Sequence, residues 1–275
     1  MSRVSHTTVT ESELQRALDC GELVRLYQPI VDLASDEPVY VEALLRWERP
    51  GLALLGPRDF LVDEDESALI ARIGWSVVIE AARRAGHWRR TYPDRPITVS
   101  VNLFPSQVAA RDLASRVEHL LFDNEVPGPR ALAFEVRERE LLGNRHRARN
   151  RDRLTALRNV EVEIVIDDLG AAAAITDVGA DELCHSTVEL LEVLASFPLD
   201  VVKLDPGFVA RLETDKQIAA VVAAAHAADL RVVALGVEEA DAVGRARDAG
   251  FDLAQGFFFF RPGPPATVDR LLARR

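Results

Sequence analysis

Glu42, Asn102, Glu135, Asp167, Asp168, Lys203, Asp205 and Gln255 each stand in, or at the end of, a short apolar run. Carboxylate and amide oxygens of this kind suit a hard divalent cation such as Mg²⁺ or Mn²⁺. Two such cations about 3.5–4 Å apart clamp the attacking and leaving oxygens of a phosphodiester displacement. The adjacent pair Asp167-Asp168 fits that scheme, one carboxylate bridging both cations and its neighbour holding the second. A nearby lysine would stabilise an attacking hydroxide or the charge of the phosphorane. Any one of these residues reads equally well as a strand-end filler. It is their recurrence on successive strands that argues for a site.

The elements that must position them alternate. Strands are expected over 24–33, 39–47, 97–102, 131–136, 162–167, 201–205, 231–236 and 254–259, mostly as continuous Val/Ile/Leu/Phe runs suited to burial on both faces. Helical patterns fall at about 11–20, 66–91, 106–122, 138–158, 186–196, 207–228, 238–248 and 266–274. This is the pattern of a parallel α/β fold, and eight strands favour closure into a TIM-type (β/α)₈ barrel, whose active sites gather at the C-terminal ends of the strands. Only Ala34 to Pro38 join the first two strands. So short a link makes a hairpin, so the first strand should run antiparallel to the others in a modified barrel. Residues 1–10 read as a tail and 11–275 as one barrel domain.

Composition narrows the partners. Charged residues sum to −11, against the basic surplus expected of a protein that grips long nucleic acid. A small dianion remains compatible, since metal ions and a few arginines reverse the local sign. Arg145, Arg147, Arg149, Arg151 and Arg153 surround His146 and read as a solvated face or a partner contact. No apolar stretch is long enough to span a membrane and no signal-peptide pattern opens the chain. Two cysteines, Cys20 and Cys184, without metal spacing, make a disulfide framework unexpected and favour a cytoplasmic location. His87 and His226 read as helix-surface or packing residues, and Phe257 to Phe260 as core and packing surface, with base stacking as the other reading.

The string Glu42-Ala43-Leu44-Leu45-Arg46-Trp47 resembles the signature of the EAL family, the cyclic di-GMP phosphodiesterases that open this dinucleotide to pGpG. The likeness runs from about Leu14 to Pro262. Tyr27-Gln28-Pro29-Ile30-Val31-Asp32 resembles the family's opening strand, which implies that Gln28 contacts the ligand. Glu42 matches the metal-binding glutamate and Arg46 an arginine that meets a ligand phosphate. Ser100-Val101-Asn102-Leu103 carries the metal-binding asparagine. Phe134-Glu135-Val136-Arg137-Glu138 carries a further ligand, Glu135, and Glu138, which anchors the loop after strand five. Ile166-Asp167-Asp168-Leu169-Gly170 resembles the two-aspartate motif of a binuclear centre. Val202-Lys203-Leu204-Asp205 places a lysine beside the attacking water, with Asp205 assigned to ligand binding. Gln255 and Arg261-Pro262 resemble the closing motif, with Gln255 in the water and ligand network.

Two departures fall on functional positions. Leu235 stands where the family has a glutamate that supports the second metal; Glu238, three residues on, is the nearest replacement. After Gly170 come four alanines, Ala171 to Ala174, in place of the family's glycine- and hydroxyl-rich loop, and thirty-five positions separate Asp168 from Lys203. The long stretch 171–186 is expected at the barrel mouth, with His185-Ser186-Thr187 as a displaced remnant of that loop, or the alanines as a helical extension. The expected protein binds cyclic di-GMP and, if active, hydrolyses it with impaired efficiency, using Mg²⁺ or Mn²⁺ with a doubtful second site. The alternative is a catalytically inactive receptor or a protein-interaction module. A homodimer is the family expectation, and with no sensor, cyclase or receiver pattern, input is expected through a regulatory protein partner or through oligomerisation.

Overall fold

The computed structural model describes residues 9–61, 67–142, 147–171, 179–211 and 215–274. Eight strands close a barrel in sequence order: β1 (Leu23–Asp32), β2 (Pro38–Trp47), β3 (Thr98–Asn102), β4 (Leu132–Arg137), β5 (Glu163–Leu169), β6 (Val201–Leu204), β7 (Arg231–Leu235) and β8 (Leu253–Gln255). As the short hairpin required, β1 is antiparallel to β2, pairing Gln28 with Glu42, and antiparallel to β8. The pairs from β2 round to β8 are all parallel.

The helices described are α1 (Glu11–Asp19), α2 (Pro57–Phe60), α3 (Ala68–Thr91), α4 (Pro105–Val108), α5 (Leu113–Asp123), α6 (Glu138–Leu142), α7 (Arg147–Asn159), α8 (Ala180–Leu194), α9 (Pro206–Arg211), α10 (Asp215–Ala227), α11 (Ala240–Asp248) and α12 (Pro265–Leu272). The longest, α3, starts where Ser67 accepts the Ile70 amide at 3.3 Å, and buries Ile73, Val77, Ala81, Ala85 and Trp88 on the barrel. Trp88 meets Tyr27 of β1 edge to face at 5.1 Å and donates to Asp269 of α12 at 2.9 Å. That contact pins the closing helix to the first strand. Among the described residues no helix is long and apolar enough to cross a membrane.

Two apolar layers result. One lies between strands and helices; the other fills the barrel interior with Ile30, Tyr40, Ala133, Val165, Val201, Val233 and Leu253. Below that inner layer, buried Glu163 accepts hydrogen bonds from the Tyr40 hydroxyl and, at 3.1 Å, from Arg231. Burial and the Glu163 charge push the Tyr40 phenol well above its ordinary pKa, so it stays a donor.

Several boundaries differ from those read in the sequence. The eighth strand stops at Gln255 instead of continuing through 259, because the chain at Gly256 passes against Val237. A Cβ on Gly256 would lie 1.9 Å from the Val237 carbonyl oxygen. Phe257 and Phe258 consequently lie in a turn with nearly half their surface exposed, not in the core. The single helix expected over 106–122 is divided into α4 and α5, and the helix expected at 186 already begins at Ala180. His185, Ser186 and Thr187 are therefore helical. The Ser186 and Thr187 hydroxyls bond the Leu183 carbonyl, which removes them as a loop remnant. Ala172 to Val178, like Arg145 and His146, lie outside the described residues.

Candidate active site

Inward-facing side chains from successive strands converge at the C-terminal mouth. Lys203 of β6 is 2% exposed and donates to Glu135 Oε1 of β4 at 2.6 Å and to Glu42 Oε2 of β2 at 3.0 Å. Glu42 also accepts from Gln255 of β8 at 2.9 Å and, on Oε1, from Asn102 of β3 at 3.0 Å. Gln28 of β1 donates to the Phe260 carbonyl at 3.0 Å and accepts from Gln255 at 3.4 Å. Six of the residues singled out in the sequence thus form one hydrogen-bonded network, brought together from six strands.

A cavity of about 600 Å³ opens above it, lined by Glu42, Arg46, Asn102, Asp167 and Asp168 among others. Consecutive residues in a regular strand face opposite sides, yet both aspartates line this cavity. The pairing of β5 with β6 slips between Ile166 and Leu169, and Asp168 has φ 55°, a left-handed conformation that costs a non-glycine residue about 1–3 kcal/mol. That irregularity turns the second carboxylate into the mouth. Glu138 holds the first residue after β5, its Oε2 accepting the Gly170 amide at 3.2 Å.

The electrostatics follow from burial. Burial disfavours charge on Lys203, but Glu135, Glu42 and Asp167 outweigh it and hold the amine protonated. Glu42 is buried too, yet Lys203, Gln255 and Asn102 keep it below the usual carboxylate range. Burial and the Glu42 charge push Glu135 up to about 8 against the pull of Lys203. Asp167 is likewise raised by burial, to about 6, with Lys203 opposing and Glu42 adding to the rise.

Whether these residues suit a divalent cation can be tested on the donors. Among the described residues no group of three His, Cys, Asp or Glu side chains is drawn together tightly enough to form a cation cage. The donor chemistry nonetheless fits: Glu135 Oε2 is buried with no hydrogen-bond partner, and the surrounding ligands are hard oxygens. Glu42, Asn102, Glu135 and Asp167 would hold a first Mg²⁺ or Mn²⁺, and Asp167 with Asp168 a second.

Asp205, Leu235 and Glu138 stand apart from both the network and the cavity lining. Asp205 lies one position beyond β6, where its amide donates to the Leu169 carbonyl at 3.0 Å and its carbonyl accepts from Val209 of α9. Leu235 pairs in register with Gln255 and packs on the apolar interior layer, offering no ligand; Glu238 is exposed and does not line the cavity. Glu138 acts on the backbone of Gly170 rather than in the network. Sequence reading also missed Arg58, whose guanidinium reaches within 3.6 Å of Asp168 Oδ2, and Arg137, which lines the same cavity. No periodicity or spacing marks Arg58; only its position after Pro57, at the start of a turn, could have drawn notice.

Fold and site together define an eight-stranded barrel protein with an acid–lysine cluster at its C-terminal mouth. The chain belongs to the EAL domain family, whose model matches residues 11–262. It is 31% identical over 259 residues to the cyclic di-GMP phosphodiesterase RocR of Pseudomonas aeruginosa, a match covering 92% of this chain and 60% of that protein. It is also 31% identical over 271 residues to the cyclic di-GMP phosphodiesterase PdeR of Escherichia coli, covering 96% of this chain and 37% of that protein. The chain therefore spans less than two thirds of either relative. Among solved structures, the PaMucR phosphodiesterase in complex with c-di-GMP superposes with a TM-score of 0.79 at 29% identity, covering 94% of this chain and 98% of that one. The EAL domain of Mycobacterium smegmatis DcpA gives 0.69 at 27% identity, covering 91% and 97%.

Proposed function

We propose that the barrel mouth binds cyclic di-GMP and opens it to linear pGpG by metal-dependent phosphodiester cleavage, at a rate impaired by Leu235. The observation that carries this reading is the buried Lys203, bonded to Glu42 and Glu135 directly beneath a cavity that Asp167 and Asp168 line. Bound Mg²⁺ or Mn²⁺ would supply Lewis acidity and neutralise phosphate charge. Lys203, kept protonated by its two glutamates, would stabilise negative charge on the attacking oxygen and the phosphorane. Arg46, Gln28 and Gln255 would orient the ligand, with Asp205 at the rim. Where a second cation binds during turnover, Asp168 would support it, and Glu138 would keep the end of β5 in place.

Leu235 also favours a second reading, a receptor that holds cyclic di-GMP without turnover or a protein-interaction module, because an apolar side chain facing Gln255 can neither ligate nor accept a proton. Incubating metal-stripped, Mn²⁺-reloaded protein with cyclic di-GMP and resolving the products by chromatography decides between them. Formation of pGpG, abolished by Glu42→Ala, supports the enzyme. Tight binding without product supports the receptor. A cytoplasmic homodimer under a regulatory partner completes the proposal, and light scattering in solution tests the dimer.

A further inference from the structure

Four carboxylates (Glu42, Asp59, Asp167, Asp168) and three arginines (Arg46, Arg58, Arg137) line the mouth cavity. A ligand carrying two phosphates would enter against that acidic excess, so each available positive charge counts. The three arginines are not equivalent. Arg46 Nη1 donates to its neighbour's carbonyl, that of Leu45, at 2.7 Å. Arg137 Nε donates to Glu140 at 2.8 Å, and its side chain is only 26% exposed. Arg58 is 92% exposed and reaches across the mouth to Asp168 at 3.6 Å.

The base from which Arg58 projects is firm. Pro57 opens α2 with its φ preset, Asp59 accepts the Gly56 amide at 2.7 Å, and the Leu61 amide returns to the Pro57 carbonyl at 2.7 Å. Phe60 is buried edge to face against Trp47 at 5.6 Å. A fixed backbone thus carries a long, free side chain. The ion pair with Asp168 is exposed and long, so it is weak and readily exchanged. A guanidinium fork matches phosphate oxygens better than it does a distant carboxylate.

We propose that Arg58 supplies, from a side chain, the positive charge beside Asp168 that a phosphate of cyclic di-GMP needs, so that the ligand is held there without a second divalent cation. This rests on the mouth being the cyclic di-GMP site. Leu235 adds no carboxylate at the end of β7, and Arg58 balances the charge of Asp168.

The test is cyclic di-GMP binding by titration calorimetry in chelator and again in Mn²⁺, for the parent, Arg58→Ala and Arg58→Lys. The parent should bind in chelator. Arg58→Ala should weaken that binding about tenfold, the scale of one charged hydrogen bond, with Arg58→Lys between the two. In Mn²⁺ the loss should be smaller. Binding by Arg58→Ala within twofold of the parent in chelator overturns the inference, as does a parent that binds only when Mn²⁺ is present; in both cases the mouth remains the site. A parent that binds under neither condition removes the site reading itself, and this inference with it. Because Arg58 is almost wholly exposed, the alanine variant should melt at the parent's temperature.

Discussion

Lys203 Nζ and Glu135 Oε1 lie 2.6 Å apart inside the barrel, with 2% of the lysine side chain exposed and none of the glutamate's. A buried ion pair of this kind is retained at a desolvation cost that its own attraction only partly offsets. The pair therefore matters most when one partner is taken away. Lys203→Met would leave Glu42 and Glu135 facing each other without their shared cation. It should destabilise the fold by about 3 kcal/mol, lowering the melting temperature by about 6–12 °C. Adding Glu135→Gln should recover part of that loss, which a double-mutant cycle in urea would measure. Additive losses would show that the two residues are not coupled.

Leu235→Glu returns a carboxylate to the one inward position of β7 at the mouth that lacks a polar group. If the mouth hydrolyses cyclic di-GMP as proposed, product chromatography in Mn²⁺ should show pGpG formation rising about tenfold or more, because the added carboxylate would strengthen a site for two cations. The cost in stability should stay near 1–2 kcal/mol, since Leu235 is half-buried. An unchanged rate would show that Leu235 is not what limits turnover.

Gly256 and Gly244 make a contrasting pair. A methyl on Gly256 would overlap the Val237 carbonyl, whereas one on Gly244, within α11, meets nothing within 4 Å. Gly256→Ala should cost about 2–3 kcal/mol or more through forced backbone movement and should also weaken ligand binding through its neighbour Gln255. Gly244→Ala should be neutral or stabilise by up to about 1 kcal/mol. Chemical denaturation of both variants checks the contrast, and equal midpoints would refute the close contact of the β7 and β8 ends.

Glu163 lies at the opposite end of the barrel, where Tyr40 and Arg231 donate to it. Glu163→Ala should cost about 2 kcal/mol in urea denaturation by leaving the buried Tyr40 hydroxyl, which still accepts from Arg231, with no acceptor for its proton. Cyclic di-GMP affinity should be unchanged, because the apolar interior layer separates this cluster from the mouth. A shift in affinity would mean that the two ends communicate.

Much of this was legible in order along the chain. The apolar runs announced eight strands, the five-residue link announced the antiparallel first strand, and polar residues at run ends announced the mouth. What escaped were positions where one local contact overrides a pattern. Phe257 and Phe258 extend an apolar run but leave the strand because Gly256 is pressed against Val237. His185-Ser186-Thr187 read as a remnant of the mouth loop, yet all three fall within α8, where Ser186 and Thr187 spend their hydroxyls on the helix's own turn. Arg58 and the Tyr40–Glu163–Arg231 cluster join residues scores of positions apart, and nothing in their local spacing signals that they meet.

The sequence by itself determined the barrel, its order of strands, and that Glu42, Asn102, Glu135, Lys203 and Gln255 gather at its mouth. Those follow from the two-residue and 3.6-residue periods and from the direction each strand must run. Only the tertiary structure decided how those groups are engaged. Lys203 is shared by Glu42 and Glu135 because closure of the barrel brings β2, β4 and β6 around one interior. Both aspartates line the mouth because β5 slips against β6 and Asp168 takes a left-handed backbone. Such outcomes depend on long-range register and burial, where the energy of each polar group is set by neighbours that the linear chain does not place beside it.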